Sequence, residues 1–399
     1  MSSIYAALEI GTTRTVLALA EVAQSGRLKV VSHAEIPSFG VKKSQILDID
    51  QVAHSIRSVL KEIEKKERGT GVSVTIANAY LVVSGQHVKA ERVYGAATVS
   101  GAKVTDDDMN AAAAALRNVA IPRDRELIDV QDQCYTLDSL EGITSPKGMA
   151  GGVLKLSAVN IHADKNRLDD ARTAAAAAHI EIIEPLFAAT AAADEVLTER
   201  ERRDGALVID FGGGSTGFAA YSDGYLAYTD VIGIGGDHVT NDIAQAFQIT
   251  QAHAIELKKT EASAQLLPSY DQTRIKLPGT SPLTDSRTIS RKSLDIVVNA
   301  RLKELMAIIR EKLEDADILH RLHSGAVLVG GGAAMEGIDA LVGHELGIPV
   351  RLGSPLHVDG FGQGAEAASF AAVAGALSYA RRNDEPKSFI HTIFGGFFK

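Results

Sequence analysis

The sequence predicts an α/β protein of two duplicated lobes, with a small domain inserted into the first. Three observations lead there. Apolar strand segments alternate with helical stretches along the 399 residues, the pattern of sheets layered with helices. A strand, glycine turn and second strand occur near the start and recur about 200 residues later, as a duplicated lobe requires. Between residues 85 and 165 the alternation gives way to strand, helix and strands, a stretch the size of a small domain.

Taken in order, IYAALEI and TVLALAEV flank Gly11-Thr12-Thr13-Arg14 and read as a hairpin. The next segment, DIDQVAHSIRSVLKEIEKKER, carries apolar residues at Val52, Ile56, Val59, Leu60 and Ile63, a helical spacing, with Asp48 or Asp50 available as its cap. Inside the insertion, Asp106, Asp107 and Asp108 precede MNAAAAALRNV and mark a helix start rather than a metal site, since carboxylates there satisfy free N–H groups and favour the dipole. DKNRLDDARTAAAAAHI is an alanine-rich helix able to pack closely on a sheet. ALVIDFGGGSTGFAAYSDG repeats the opening hairpin, with an apolar strand from Ala206 to Ile209, Asp210, a glycine turn and a strand through Phe218 to Tyr221. The polar, proline-containing residues 265–290 suit a surface hairpin with loops. Residues 291–313 form a long amphipathic helix, and GAVLVGGGAAMEG brings a buried strand into a third glycine turn.

These readings divide the chain into residues 1–84 and 166–195 as the first lobe, 85–165 as the insertion and 196–355 as the second lobe, with a smaller subdomain near 236–310. Residues 356–380 return to the first lobe, 381–386 (RRNDEP) are a linker, and 387–399 are a terminal helix.

Composition narrows the function. A net charge of -9 and a pI near 5.8 argue against nucleic acid as a partner. The single cysteine, Cys134, reads as an inert buried thiol, and the histidines show no ligand spacing. No apolar run reaches the roughly 18 to 20 residues that span a bilayer, and the opening residues lack the features of a secretory signal, so the cytoplasm is the expected compartment.

The chemistry lies in the glycine turns. Gly11, Thr12 and Thr13 after a strand bare backbone N–H groups and hydroxyls in a concavity that suits phosphate oxygens. Gly212, Gly213, Gly214, Ser215 and Thr216 offer the same from the other lobe. Glu9 and Asp210, each just before its turn, would face the phosphates, which a carboxylate tolerates only if Mg²⁺ offsets the repulsion. A nucleotide clamped between lobes is the expectation.

LEIGTTRT, VIDFGGGST and VLVGGGAAMEG resemble the two phosphate motifs and the adenosine motif of the actin-like ATPase superfamily. The closer resemblance is to its FtsA family, and it runs through GVKKSQILDID, GAATVSGAKVTDDDM, IPRDRELIDVQDQCYTLD, GITSPKGMAGGVLKL and IGIGGDHVTNDIA, among other stretches. It implies a two-lobed, ribonuclease H-like duplicated fold with an inserted α+β subdomain and a C-terminal amphipathic helix. It also implies ATP and Mg²⁺ as cofactors, with Glu9 and Asp210 on the metal side. Gly235, Gly236, Asp237, Lys258, Gly331 and Gly332 would line the ribose and adenine, and Glu184 would orient attacking water. Three departures stand out: Glu9 where Asp is usual, Gly217 where an acid commonly follows the threonine, and Ile255 where a glutamate is expected. They point to ATP binding with slow turnover at most.

The chain ends KSFIHTIFGGFFK. Wound as a helix, Phe389, Ile390, Ile393, Phe394, Phe397 and Phe398 cover one half of the circumference. Burying them is worth roughly 9 to 18 kcal/mol as an upper bound, before the cost of ordering a helix that contains Gly395 and Gly396. That suits weak, reversible attachment to a lipid surface. By resemblance, the protein would polymerise on itself, bind the C-terminal peptide of FtsZ and other division proteins, and sit at the cytoplasmic side of the membrane at the division site. Another envelope assembly machine of the pilus type, or a small-molecule kinase of the superfamily, are the alternatives. For the kinase the sequence offers no base beside a substrate pocket.

Overall fold

The computed structural model describes residues 4–68, 76–270, 272–277 and 287–384. The first lobe opens with β1 (Ile4–Ile10), β2 (Arg14–Val22), β3 (Leu28–Pro37), the short strands β4 (Val41–Lys42) and β5 (Gln45–Ile46), α1 (Ile49–Arg68) and β6 (Asn78–Val83). The insertion holds β7 (Val88–Thr98), α2 (Asp106–Arg117), β8 (Arg125–Leu137), β9 (Leu140–Ile143) and β10 (Val153–Asp164). The chain rejoins the first lobe through α3 (Lys165–Ala177), β11 (Glu181–Phe187) and α4 (Ala188–Val196). The second lobe comprises α5 (Glu199–Asp204), β12 (Ala206–Phe211), β13 (Thr216–Ser222), β14 (Tyr225–Ile232), α6 (Gly236–Phe247), α7 (Gln251–Thr260), β15 (Arg274–Leu277), β16 (Arg287–Ser290), α8 (Arg291–Asp315), β17 (Ala326–Val329), α9 (Ile338–Leu346) and β18 (Val350–Leu352). Last come β19 (Val358–Asp359), α10 (Gly364–Ser369) and α11 (Ala371–Asp384).

Duplication is visible in the sheets. The first lobe's sheet runs β11-β6-β1-β2-β3-β19 and the second lobe's runs β18-β17-β12-β13-β14 when read in the same sense. In each, an antiparallel meander of three strands is extended on one side by two parallel strands. Two main cores result, the first of which also takes in Ala206, Val208 and Ala219 from the second sheet. Leu8, Leu17 and Leu19 meet α1 residues Val52, Ile56, Val59 and Ile63 in one, and Leu207, Ile209 and Phe218 share the other with α8 residues Leu302, Leu305 and Ile309. Burial of side chains of this size stabilises by about 1.5 to 3 kcal/mol each.

Helix starts follow the sequence. Asp48 caps α1, its Oδ1 accepting from Gln51 N–H at 3.0 Å. In the insertion Thr105 and Asp108 form a capping box at the start of α2, so the acidic run serves helix geometry as expected. The helix α2 lies on one face of the sheet β7-β10-β8-β9, where Leu116, Leu154 and Leu156 form a third core.

Two expectations need adjustment. Cys134 is half-buried rather than enclosed, with its Sγ 3.9 Å from Ser157 Oγ. Of the stretch expected as a linker, residues 381–384 continue α11 as helix. Arg382 binds Asp194 at 2.8 Å and Tyr5 donates its hydroxyl to Asp384 at 3.0 Å, contacts that hold the last turn on the first lobe. The segment 387–399 lies outside the described residues.

The closest helix approach joins α11 to α4. A Cβ added at Gly375 would stand 1.8 Å from the Ala191 carbonyl oxygen. Gly375→Ala must therefore push the two helices apart, with an expected loss of about 1 to 3 kcal/mol in urea unfolding. Gly101→Ala, which meets nothing within 4 Å, serves as the control and leaves the midpoint unchanged.

Candidate nucleotide site

The strand registers aim two turns at one cleft. Glu9 is the penultimate residue of β1 and pairs with Val16, and Asp210 is the penultimate residue of β12 and pairs with Gly217. Each turn closes through one equivalent bond, Gly11 N–H to the Arg14 carbonyl at 3.0 Å and Gly212 N–H to the Ser215 carbonyl at 3.1 Å. A Cβ on either first glycine would meet that carbonyl oxygen at 2.8 Å. The two hairpins are copies in geometry as well as in sequence.

They also touch. Cβ atoms built at Gly213 and Gly214 would fall 2.0 Å from Thr13 Oγ1 and 2.3 Å from Thr12 Oγ1. The second turn is braced from behind, because Gly236 and Asp237 at the start of α6 donate their N–H groups to the Gly212 and Gly213 carbonyls at 3.0 and 2.9 Å. Gly212 N–H closes the turn itself, so the N–H groups of Gly213, Gly214 and Ser215 are those the turn can offer the cleft. The third glycine turn docks on the second: Gly330, at φ 80°, allows no Cβ because one would stand 2.5 Å from Asp210 Oδ1, and a Cβ at Gly332 would strike the Phe211 ring at 2.3 Å. Gly331 alone faces open space.

The resulting cleft has a volume of about 720 Å³. Among the expected residues, Glu9, Gly11, Thr12, Thr13, Asp210, Gly212, Gly213, Gly214, Ser215, Gly236, Lys258, Gly331 and Gly332 line it. Lys258 donates to the Gly236 carbonyl at 2.9 Å, and burial lowers the ammonium's pKa against the opposing attraction of Asp237.

Four residues are placed otherwise. Thr216 is fully buried, with its hydroxyl committed to the Ile234 carbonyl at 2.7 Å. Gly235 and Asp237 form the brace behind the second turn, where a Cβ on Gly235 would meet the Gly213 oxygen at 2.5 Å. Glu184 is not among the cleft-lining residues. The register of β11 on β6 slips between Ile182 and Pro185, and this bulge lets Glu184 accept from the Tyr379 hydroxyl of α11 at 3.2 Å.

Sequence reasoning missed Arg14 and Ser44. The Arg14 guanidinium binds Glu35 and lies 4.9 Å from the centre of the Phe370 ring. Its signal was the basic residue closing the first turn. Ser44 gave none, because Lys43-Ser44 reads as an ordinary polar loop.

Of the basic residues that line the cleft, Arg14, Lys66, Lys258 and Lys259, Arg14 is the one that acts on the two carboxyls. Burial raises the Glu9 carboxyl, with Arg14 opposing and Glu35 adding to the rise. Asp210 is pushed up to about 7, by burial first and by the charge on Glu9 second. Two enclosed oxygen donors that resist ionisation suit a hard divalent cation, which needs only one or two carboxylates when phosphate and water complete its shell. Among the described residues no group of three or more His, Cys, Asp or Glu forms a metal centre.

Comparison with known proteins decides the family. A family model for "Cell division protein FtsA" matches residues 207–375, and one for the "SHS2 domain inserted in FTSA" matches residues 85–162. The cell division protein FtsA of Pseudomonas aeruginosa is 31% identical over 353 residues, covering 88% of this chain and 83% of that protein. The chain belongs to the FtsA family. FtsA of Escherichia coli K12 is 28% identical over 385 residues, covering 94% of this chain and 90% of that protein, and FtsA of Bacillus subtilis is 29% identical over 365 residues, covering 90% and 80%. Among solved structures, the PilM-PilN type IV pilus biogenesis complex aligns with a TM-score of 0.64 at 18% identity, covering 97% of this chain and 99% of that one. MreB5 of Spiroplasma citri bound to AMPPNP aligns at 0.57 and 14%, covering 96% and 98%. The fold is thus actin-like, carries the FtsA-type insertion, and serves cell division.

Asp210 gives the unliganded protein a pH signature. The folded chain holds a proton on Asp210 from the ordinary 3.8 up to about 7, so it binds more protons than the unfolded chain in that window and stability falls as pH rises through it. Asp210→Asn removes this loss. Without nucleotide or Mg²⁺, it should be more stable than the unsubstituted protein at pH 8 by on the order of 1 to 3 kcal/mol, with a higher melting temperature, and match it near pH 4. Thermal melts across pH check both points.

Proposed function

We propose that the protein binds Mg²⁺-ATP in the interlobe cleft, assembles on itself in that state, and ties FtsZ to the membrane through residues 387–399. The observation that carries this reading is the pair of equivalent glycine hairpins meeting across the cleft beside two half-buried carboxylates. The same fold in MreB5 is bound to AMPPNP, which favours a nucleotide as the ligand class.

In this reading the amides and hydroxyls of Gly11 to Thr13 and of Gly212 to Ser215 hold the phosphates from opposite lobes. Glu9 and Asp210 hold the metal, which adds its positive charge to that of Arg14 beside them. Gly331 and Gly332 give the adenine a flat backbone floor, and Lys258 stands beside it. The ligand bridges the lobes, so binding fixes their relative orientation and favours one filament-forming conformation. Glu184 stands outside the cleft, and no other carboxylate is proposed as a base, so hydrolysis is slow and nucleotide acts chiefly by occupancy.

The second part of the reading rests on family membership and on the terminal sequence. No helix among the described residues is long and apolar enough to cross a membrane, so attachment falls to the six apolar residues Phe389, Ile390, Ile393, Phe394, Phe397 and Phe398. One such helix binds weakly, and a filament presents many at once. The FtsZ peptide is assigned to the subdomain of α6, α7, the β15–β16 hairpin and α8.

Liposome flotation tests the tether. The full chain is expected to float with anionic vesicles, more strongly with ATP and Mg²⁺, and a truncation ending at Pro386 to remain at the bottom. Flotation of the truncation, or of neither protein, would place the membrane contact elsewhere or remove it.

A further inference from the structure

Both phosphate-side turns are touched by a third, the Lys43-Ser44 turn between β4 and β5. Lys42 pairs with Gln45, so the hairpin closes through only two residues, and both are left-handed at φ 51° and 57°. A two-residue turn with both φ values positive normally uses asparagine and glycine, because side chains with a Cβ are crowded there. Lysine and serine hold this shape here, and strain of that kind gathers where a backbone is committed to function.

The tip enters the cleft. Ser44 N–H donates to Thr12 Oγ1 at 2.9 Å, and Ser44 Oγ lies 3.0 Å from Ser215 Oγ and 3.4 Å from Thr12 Oγ1. A Cβ on Gly214 would stand 2.8 Å from Ser44 N, and one on Gly85, where the chain enters the insertion, 2.8 Å from Ser44 Cβ. Ser44 therefore touches both lobes and the first residues of the inserted domain, and it lines the cleft.

Its end of the cleft is also defined. The residues assigned to the nucleoside cluster around the start of the second turn, where Gly330 abuts Asp210 and Phe211, and Lys258 reaches Gly236 beside the Gly212 oxygen. Ser44 abuts the far end of that turn, at Gly214 and Ser215.

We propose that Ser44 is a third phosphate contact, one that reads the terminal phosphate of a bound nucleoside triphosphate. The proposal rests on the nucleotide reading above. In the structure its N–H and hydroxyl are satisfied by neutral hydroxyls of Thr12 and Ser215. An anionic phosphate oxygen is a stronger acceptor for both donors, and charge-assisted bonds of this kind exceed the neutral ones they replace. A diphosphate leaves that end empty and the hydroxyl contacts intact. Ser44 thus makes the cleft discriminate ATP from ADP.

The test is a competition titration of ATP and of ADP, each with Mg²⁺, against a fluorescent nucleotide on the full chain. Ser44→Ala removes the hydroxyl. A double variant, K43N with S44G, removes it too while installing the residues that such a turn prefers, so it remains informative if the single variant folds poorly. Both are expected to lose about five- to tenfold in ATP affinity and less than twofold in ADP affinity, with unliganded melting unchanged or, for the double variant, raised. If the unsubstituted chain binds neither nucleotide, the nucleotide reading falls and the Ser44 role with it. If that chain binds both and the folded variants keep its ATP-to-ADP ratio, the Ser44 role alone is overturned.

Discussion

Two half-buried carboxylates beside two opposed glycine turns set the terms for the rest of the structure. Burial, with the charge on Glu9 added, keeps a proton on Asp210 up to about neutral pH. Neither group gains from this enclosure in the unliganded chain. Buried charge without a partner costs far more than hydrogen bonding returns, so an unrelieved pair of this kind is a cost to folding that a cation bound with phosphate removes. The glycines follow from the same constraint. Gly213 and Gly214 admit the hydroxyls of Thr12 and Thr13, and Gly330 admits the Asp210 carboxylate itself.

The lobes meet through an apolar seam, in which Ala189, Ala192, Ala193 and Val196 of α4 share a core with Ala206, Val208 and Ala219 of the second sheet, and through polar contacts besides. Arg202 of α5 binds Asp194 of α4 at 2.8 Å and stacks 4.5 Å from the Tyr221 ring, while Arg382 takes the other Asp194 oxygen at 2.8 Å. The insertion is tied to the first lobe by Arg172 of α3, whose guanidinium grips Glu126 of β8, and to the second by Arg92, which donates to the Ala227 carbonyl at 3.0 Å. A ligand seated between the hairpins would bear on both lobes at once.

Much of this was legible in the sequence, for identifiable reasons. Strand runs such as ALVIDF are apolar throughout because both sheet faces are covered, and glycine clusters mark turns whose backbone must approach another chain segment. The duplicated hairpins, the insertion and the long α8 helix follow from those signals. Orientation was harder to read. Glu184 sits in a motif suited to the cleft, yet a one-residue slip beside Pro185 turns it toward Tyr379, and no periodicity announces a bulge. Thr216 looked like a fifth phosphate ligand, but alternation along β13 sends its hydroxyl to Ile234. Ser44 was invisible because its importance comes from three contacts distant in sequence. RRNDEP reads as a linker by composition, and the partners Asp194, Tyr5 and the Gly26 carbonyl, none of them local, make its first four residues helical.

The central claim is that one ligand is held by both lobes at once. Hydrogen–deuterium exchange on the full chain, with and without Mg²⁺-ATP, addresses it at peptide resolution. The account predicts protection gained together in residues 11–15 and 212–217, with Mg²⁺ required for the full effect. Protection confined to one hairpin, or to neither, would contradict a clamp across the cleft.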